Sequence, residues 1–320
     1  PNDHIALSKN PRFFDAANVK VERVTYYPTT DSDAALRRFR AGELDVQDPL
    51  PSSQIDYLRQ SMPEVLEIGP YLGLGYYVMN QTRKPFDDVR VREALNLAYD
   101  RETVADKIIK LGQTPAYSIV PPGIANYPAG NALGFKATPY QDRVKRAQDL
   151  MKAAGYGPDK PFRTTLAIST SPDALRVAAA VQQMWKQAYI EVELVQNEVQ
   201  VNYLKLQNGD FDLGGAGWIA DYNDAWNFLF LLKTNKAGGM NYGRYSNLQF
   251  DALLDQSDKE PDAAKRGALL AQAEAIALKE FALVPTLNQV TSNLVRPYVK
   301  GWKANIRDIH RTRFVSLDPH

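Results

Sequence analysis

The chain has 320 residues, 44% hydrophobic and 23% charged, so it can bury the core of two lobes or of one large α/β unit and is not expected to be disordered. Its 38 Lys and Arg residues nearly balance its 37 Asp and Glu residues, and the net charge of +1 argues against a nucleic-acid-binding surface. The chain has no cysteine, which excludes disulfides and thiolate chemistry. It has only three histidines, which argues against a His-based metal site or a catalytic triad.

The first part of the chain alternates short strands with short helices. Asp33 is placed to cap a first helix, which Gly42 would end. Ser52 or Ser53 is placed to cap a second helix, which stops before Pro63. This βαβαβ rhythm favours helices packed on a mixed sheet. Strands are predicted at 19–27, 44–46 and 65–68, and the first helix at 34–41.

The run 71–80 is strongly β-prone but is interrupted by Gly73 and Gly75. Glycine within a strand often marks a bend or the close approach of another backbone, so we place a passage between two lobes here. Two helices are predicted to follow, one from Asp87 or Asp88 to Tyr99 and one from Asp100 to Gly112.

The segment 115–138 is predicted to be a loop, because it is rich in proline and glycine. Loops of this length inside a compact domain are usually functional or wrap a surface. A second βαβαβ pattern follows, which predicts parallel strands joined by right-handed crossovers. The predicted helices are 141–155, 173–187, 199–207 and 263–280, and the predicted strands are 164–168, 190–195, 211–217, 282–288 and 294–299.

Five short phrases stand out along the chain. They are YYP at 26–28, AGELD at 41–45, PFDDVRVR at 85–92, GWIADYND at 217–224 and LVP at 283–285. Each phrase alone is weak, but together they resemble the oligopeptide-binding proteins of ABC transporters (solute-binding protein family 5), in the family's order and over essentially the whole chain. The set looks closest to the oligopeptide and murein-tripeptide binding proteins.

The resemblance implies an α/β, periplasmic binding protein-like fold (type II, cluster C), in which hinge strands join two lobes. Residues 1–72 and 284–320 would form part of domain I, and 73–283 would form domain III. Because family members are longer, domain II and the start of domain I would be absent, and the chain would be a fragment. Closure of the lobes on a ligand would be absorbed near 69–75 and 283–288.

The resemblance also implies a function. The protein would bind short peptides in the periplasm and deliver them to the inner-membrane permease of an ABC importer, without catalysis, cofactor, metal or nucleic acid, and as a monomer. The chain starts at Pro1 without the basic-then-apolar pattern of a signal peptide, so the expected export signal is not part of it. No apolar run approaches the roughly 18–20 residues that span a bilayer.

The segment 217–221 is the strongest candidate for a peptide site, and the resemblance assigns its roles. Asp221 would neutralise the peptide's ammonium group, because an amine that loses water needs a carboxylate in its place. The backbone around Gly217 and Ile219, with Ala220 beside it, would pair with the peptide as an added strand. Trp218 would line a side-chain pocket. A helix-capping Asp and a core-filling Trp are the competing interpretations.

Three further positions match ligand-facing or hinge-proximal tyrosines of the family, namely Tyr71, Tyr76 and His310. Cross-strand packing is the competing interpretation for the tyrosines, and a solvated side chain is the competing interpretation for His310. Some members also carry a disulfide between two of these segments. Its positions hold Gly73 and Ile219 here, so packing must join them instead.

Two basic positions of the closest relatives hold Gly215 and Ala174 in this chain. In the family, those side chains help to bind the carboxy terminus of the peptide or its acidic groups. Their loss leaves the length and charge of the ligand open. Lys205 and Arg176 lie nearby in sequence and are candidates to replace them.

Two alternatives to peptide binding stay open. A hydrolase would need a nucleophile and base or two carboxylates in a cleft, and Asp221 and Asp224 are a pair of that kind. The same fold could instead bind another solute, such as a murein peptide, an opine or an oligosaccharide. The expected carboxylate–ammonium contact favours a ligand with a free amino terminus over a sugar.

Overall fold

The computed structural model describes residues 3–29, 31–128, 130–234 and 239–319. The chain divides into two compact units. Unit 1 comprises Pro1–Tyr71, Lys110–Gly112 and Val290–His320, and unit 2 comprises Leu72–Ile109 and Gln113–Gln289. Within the described ranges, no helix combines the length and apolarity that crossing a membrane requires.

The strands and helices have the following bounds. The strands are β1 (Ile5–Ser8), β2 (Arg23–Tyr26), β3 (Val46–Gln47), β4 (Leu66–Met79), β5 (Thr114–Pro115), β6 (Phe162–Ser169), β7 (Ile190–Asn197), β8 (Leu213–Ile219), β9 (Val284–Val295), β10 (Val299–Lys300) and β11 (Ser316–Leu317). The α-helices are α1 (Ser32–Arg40), α2 (Ile55–Ser61), α3 (Val89–Leu97), α4 (Arg101–Thr103), α5 (Tyr140–Ala153), α6 (Pro172–Gln187), α7 (Val199–Asn208), α8 (Trp226–Leu229), α9 (Leu248–Ser257) and α10 (Ala263–Lys279). A π-helix (Val104–Ile109) continues α4.

Unit 1 contains small antiparallel pairings, β1 with β2, β10 with β11, and β3 with the end of β9. Helix α1 buries Leu36 and Phe39. Its cap is Asp31, whose carboxylate accepts hydrogen bonds from the amides of Asp33 and Ala34. The predicted cap at Asp33 is therefore wrong by two residues, because Asp33 donates its amide to the true cap, Asp31.

Two other sequence predictions for strands and caps are wrong. The serines predicted to cap α2 lie in a 3₁₀ turn (Ser52–Gln54), and Gln54 precedes the helix without a side-chain cap. The two strands predicted at 282–288 and 294–299 are one continuous strand, β9. Its polar middle does not interrupt it, because Leu287 and Asn288 pair with β5 and Leu294 and Val295 pair with β3.

The main sheet of unit 2 has the strand order β9–β4–β8–β6–β7. Strands β6 and β7 pair in parallel from Phe162 opposite Ile190 to Ser169 opposite Asn197, as the βαβαβ pattern predicts. Strand β8 is parallel to β6 and antiparallel to β4. The core beside this sheet contains Trp185, which is fully buried and donates its indole N–H to the carbonyl of Leu95 at 3.0 Å.

The predicted loop 115–138 is anchored to α10 by the buried carboxylate of Glu274. One carboxylate oxygen accepts the amides of Ile119 and Val120, both at 2.7 Å, and the other accepts the Tyr127 hydroxyl at 2.5 Å. Burial raises the pKa of Glu274, and these donors oppose that effect. The loop therefore wraps the surface of a helix.

A buried arginine holds the start of the same loop against α4 and β9. The side chain of Arg101 is fully buried, and its Nε donates to the carbonyls of Ala116 and Pro285 at 2.7 and 2.9 Å. Its Nη1 donates to the carbonyl of Asn96 at 2.9 Å. Burial lowers the pKa of Arg101 to about 10, so the guanidinium stays charged at neutral pH.

We predict that Arg101→Met lowers the free energy of unfolding by roughly 3 kcal/mol or more, because several buried carbonyls lose their donor together. The measurement is equilibrium urea denaturation. The control is Arg163→Met, since Arg163 is mostly exposed and pairs only with Glu191 at the surface. The control should change the free energy of unfolding by at most about 1 kcal/mol. Equal effects of the two substitutions would contradict this account of Arg101.

Candidate ligand-binding site

Strand β8 has one edge that is only partly covered. Along one side it pairs with β4 from Leu213 opposite Met79 to Ile219 opposite Gly73. Along the other side it pairs with β6 only at Leu213 and Gly214. Among the described residues, no strand therefore covers the segment 215–219 on that side.

The register shows which backbone groups face this open edge. The amide of Ala220 donates to the carbonyl of Leu72 at 2.8 Å, and the amide of Asn80 donates to the carbonyl of Asp212 at 2.9 Å. In an antiparallel pair the hydrogen-bonded positions alternate, so the even-numbered residues of β8 bond to β4. The N–H and C=O groups of the odd-numbered residues, Gly217 and Ile219, point to the open edge.

Close packing joins β4 and β8 at Gly73 and Ile219. Gly73 lies directly opposite Ile219, and a Cβ at Gly73 would come within 2.5 Å of the Ile219 Cδ1 and 2.8 Å of the Gln289 Cβ. Only glycine therefore allows the Ile219 side chain to lie over β4 at this point.

The loop after β8 is fixed by Asn227, a residue that the sequence analysis did not single out. The side chain of Asn227 is buried, and its Oδ1 accepts the amide of Asp221 at 2.8 Å and the indole N–H of Trp218 at 3.2 Å. One amide oxygen thus holds both the backbone of Asp221 and the ring of Trp218. Nothing in the spacing of these residues signals the contact.

Two further contacts tie this loop to the rest of unit 2. Asp224 forms an ion pair with Arg266 of α10, with Oδ2 2.5 Å from Nη1 and Oδ1 3.1 Å from Nη2. The Asp224 hydrogen bond raises the pKa of Arg266. The side chain of Asn223 accepts the amide of Ala125 at 3.0 Å. Asp224 is therefore engaged by a guanidinium, which weakens its candidacy as the second carboxylate of a hydrolase.

The carboxylate of Asp221 is exposed, and none of the described residues donates a hydrogen bond or forms an ion pair with it. It does not cap α8, which begins without a side-chain cap at Ala225. Ala220 is buried beside it, at 3% exposure. The structure thus places an unpaired carboxylate immediately after the open edge of β8, on a loop held by Asn227 and by the Asp224–Arg266 ion pair.

Trp218 is half-buried rather than part of the core. Its ring meets Phe230 edge-on at 5.1 Å, and Phe230 stacks on Trp226 at 5.5 Å. These contacts fix one face of the indole against α8. Gly217, Ile219 and Asp221 are therefore exposed beside the half-buried Trp218, and only Ala220 of the segment 217–221 is buried.

Tyr76 lies in unit 2 but does not share that surface. Its side chain is 4% exposed, and its neighbours include Tyr242 and Tyr203. Burial raises the pKa of Tyr76 well above its usual value. Tyr76 is therefore a buried side chain of β4 and is not exposed beside Asp221.

Tyr71 and His310 belong to unit 1, where they lie in an acidic cluster. The His310 Nε2 is 2.8 Å from the Asp308 Oδ1, and the His310 ring stacks on Trp302 at 3.8 Å. Because the His310 side chain is only 6% exposed, its interpretation as a solvated histidine is wrong. Burial, followed by the charges of Asp308 and Asp48, raises the pKa of Tyr71. Among the described residues, no three acidic, His or Cys side chains form a metal-binding group.

The two basic side chains proposed as replacements are already engaged. Lys205 donates to the Asn197 Oδ1 at 2.7 Å, and Arg176 pairs with Asp173 at 2.7 Å on the surface of α6. Gly215 itself has no side chain. The structure therefore shows no free cation beside the described part of β8.

We predict that Asn227→Ala loosens the loop after β8, because the Asp221 amide and the Trp218 indole lose their shared acceptor. The free energy of unfolding should fall by about 1–3 kcal/mol, the usual cost of leaving buried polar groups unpaired. Amide exchange followed by NMR should also show faster exchange at Asp221. Asn208→Ala, on the exposed end of α7, is the control. Unchanged exchange at Asp221 would contradict the role of Asn227.

The acidic cluster of unit 1 predicts a pH dependence. Withdrawal of its carboxyl from water, followed by the charge of Asp308, raises the pKa of Asp48 to about 6 against the opposing effect of His310, although the residue as a whole remains exposed. Between about pH 4 and 6, the Asp48 carboxyl is therefore protonated in the folded state and ionised in the unfolded state. Because the folded state binds the extra proton, the free energy of unfolding falls as the pH rises through this range. Asp48→Asn should flatten the dependence of the unfolding midpoint on pH between 4 and 6.5. A parallel downward shift at every pH would contradict this prediction.

Comparisons with known proteins support the assignment of a family. Residues 1–240 match the family described as "Bacterial extracellular solute-binding proteins, family 5 Middle". The periplasmic oligopeptide-binding protein OppA of Escherichia coli (strain K12) is 33% identical over 306 residues, which cover 94% of this chain and 55% of OppA. The probable deoxycholate-binding periplasmic protein YgiS of the same strain is 36% identical over 302 residues, which cover 94% of this chain and 56% of YgiS.

A solved structure shows the same likeness in three dimensions. The murein tripeptide binding protein MppA of Escherichia coli matches with a TM-score of 0.93 at 30% identity, covering 100% of this chain and 62% of that chain. This match confirms the predicted α/β, periplasmic binding protein-like fold. The chain spans little more than half the length of the curated relatives it matches. It belongs to the bacterial extracellular solute-binding proteins, family 5.

Proposed function

We propose that this chain is part of a periplasmic protein that binds short peptides with a free amino terminus and delivers them to the permease of an ABC importer. The observation that carries the proposal is the unpaired carboxylate of Asp221 beside the open edge of β8. OppA and MppA, which this chain resembles, are named for oligopeptide and murein tripeptide binding, and both names support a peptide ligand.

The carboxylate of Asp221 and the adjoining backbone groups of β8 are suited to bind the amino-terminal end of a peptide. An ammonium group that leaves water needs a compensating charge, and a carboxylate without a partner supplies it. The outward backbone groups of Ile219, next to Asp221 on the open edge, can form hydrogen bonds with a peptide main chain, as in other cases of strand addition. Because main-chain pairing reads no side chain, one such site accepts many sequences.

The half-buried ring of Trp218 lies beside these groups and offers apolar area with little loss of conformational freedom. Catalysis is not part of the proposal, because Asp224 is held by Arg266 and leaves Asp221 without a second free carboxylate on this loop. A hydrolase would release product from a peptide or a glycoside, and a turnover assay separates that activity from binding.

The test compares a tripeptide with its N-acetylated form by calorimetric titration of the chain and of Asp221→Asn. The free tripeptide should bind the unmodified chain, and Asp221→Asn should weaken it about tenfold or more, the usual effect of losing a charge-assisted hydrogen bond. The acetylated peptide should bind weakly to both proteins.

The control is Asp210→Asn, which removes an exposed carboxylate from the turn between α7 and β8 and should leave the affinity unchanged. Equal affinity for the free and acetylated peptides would contradict the proposed role of Asp221. Release of amino acids from the peptide would favour a hydrolase.

A further inference from the structure

Side chains of α7 occupy the part of the open edge of β8 that lies farthest from Asp221. The Asn202 side chain donates its Nδ2 to the carbonyl of Gly215 at 3.1 Å. The Tyr203 hydroxyl accepts the amide of Gly217 at 3.2 Å and donates to the carbonyl of the same residue at 3.4 Å. One phenol thus takes both outward backbone groups of Gly217, which is what one residue of an added strand would do.

Ile219 is the next residue of β8 whose backbone groups point outward, and it differs from Gly217. The outward N–H and C=O groups of Ile219 bond to no side chain in the described part of the chain. Ile219 itself is partly exposed, at 37%. Along β8, the outward backbone groups are therefore taken at Gly215 and Gly217 and free at Ile219, the position nearest Asp221.

The packing of α7 holds the tyrosine in place. Asn202, the residue before it, is 2% exposed and lies 3.5 Å from the side chain of Asn197. Leu206, one turn later, packs so closely on Gly214 that a Cβ there would come within 2.3 Å of it. The Tyr203 ring also lies 6.2 Å from the ring of Tyr242. The backbone of α7 cannot withdraw from β8 without breaking these contacts.

We propose that Tyr203 limits the length of ligand backbone that pairs with β8 to a single residue, at Ile219. The inference rests on the proposed function and deepens it, because it names the ligand class. Asp221 would bind the ammonium group of the ligand, and Ile219 would pair with the backbone of its first residue. Dipeptides and compounds that carry one amino-terminal residue on a larger group fit this site, and longer peptides gain nothing from further main-chain pairing.

The absence of a side chain at Gly215 agrees with this limit. A peptide that continued past Gly217 would reach Gly215, whose carbonyl is already bonded to Asn202 and beside which the described residues offer no free cation for a carboxy terminus. Tyr203 therefore blocks pairing at Gly217, and a peptide that reached Gly215 would find no further partner there.

The first part of the test needs no ligand. Amide exchange in the full chain, followed by NMR, should be slow at Gly217 and fast at Ile219, and Tyr203→Phe should accelerate exchange at Gly217 alone. The control is Tyr156→Phe, which removes a hydroxyl from a half-buried tyrosine that contacts Phe162. Equal exchange rates at Gly217 and Ile219 in the unmodified chain would overturn the proposal whatever the ligand is.

The second part compares alanine dipeptide, tripeptide and tetrapeptide by calorimetric titration. The unmodified chain and Tyr156→Phe should bind all three within about twofold of one another. Tyr203→Ala, which removes the ring as well as the hydroxyl from the edge, should bind the tripeptide and tetrapeptide roughly tenfold more tightly than the dipeptide, because the outward N–H and C=O groups of Gly217 become available to them.

Two failures are distinguishable. A tripeptide that binds the unmodified chain tenfold more tightly than the dipeptide, with the same ratio in Tyr203→Ala, overturns the length limit and leaves peptide binding intact. Failure of every peptide to bind either protein overturns the proposed function and the length limit with it.

Discussion

The antiparallel pairing of β8 with β4 is the constraint on which the candidate site depends. Because hydrogen-bonded positions alternate along such a pair, the pairing of Ala220 with Leu72 determines that Gly217 and Ile219 direct their backbone groups away from β4. The same register fixes the side chain of Ile219, which lies over Gly73. Any residue larger than glycine at position 73 would clash with it. A shift of one residue would turn every one of these groups to the wrong side.

Polar side chains from outside the loop that follows β8 hold the loop in place. Asn227 holds Trp218 and the amide of Asp221, and Asp224 joins the loop to α10. The carboxylate of Asp221 is left without a partner at the end of this arrangement. Such a group retains its hydration in the free protein, and its unused hydrogen-bonding capacity is what a cationic ligand can take up.

Much of the fold follows from the sequence, and the site follows only in part. Repeated βαβαβ patterning and five short phrases are sufficient for the α/β fold, because they depend on local periodicity and on the order of motifs. The single strand β9 was not predicted, since partners on β3 and β5 stabilise its polar middle. The contacts of Asn227 and Tyr203 were not predicted either, because each joins residues whose proximity depends on tertiary packing. The roles of Asp221 and its neighbours remain predictions.

The ion pair between Asp224 and Arg266 has a consequence for the solution conditions in which the loop is ordered. Both side chains are about one quarter exposed, so dissolved ions reach them and screen their attraction. Ionic strength therefore acts on the loop itself as well as on any charged molecule that approaches Asp221. We therefore expect this segment to be less ordered at high than at low salt concentration.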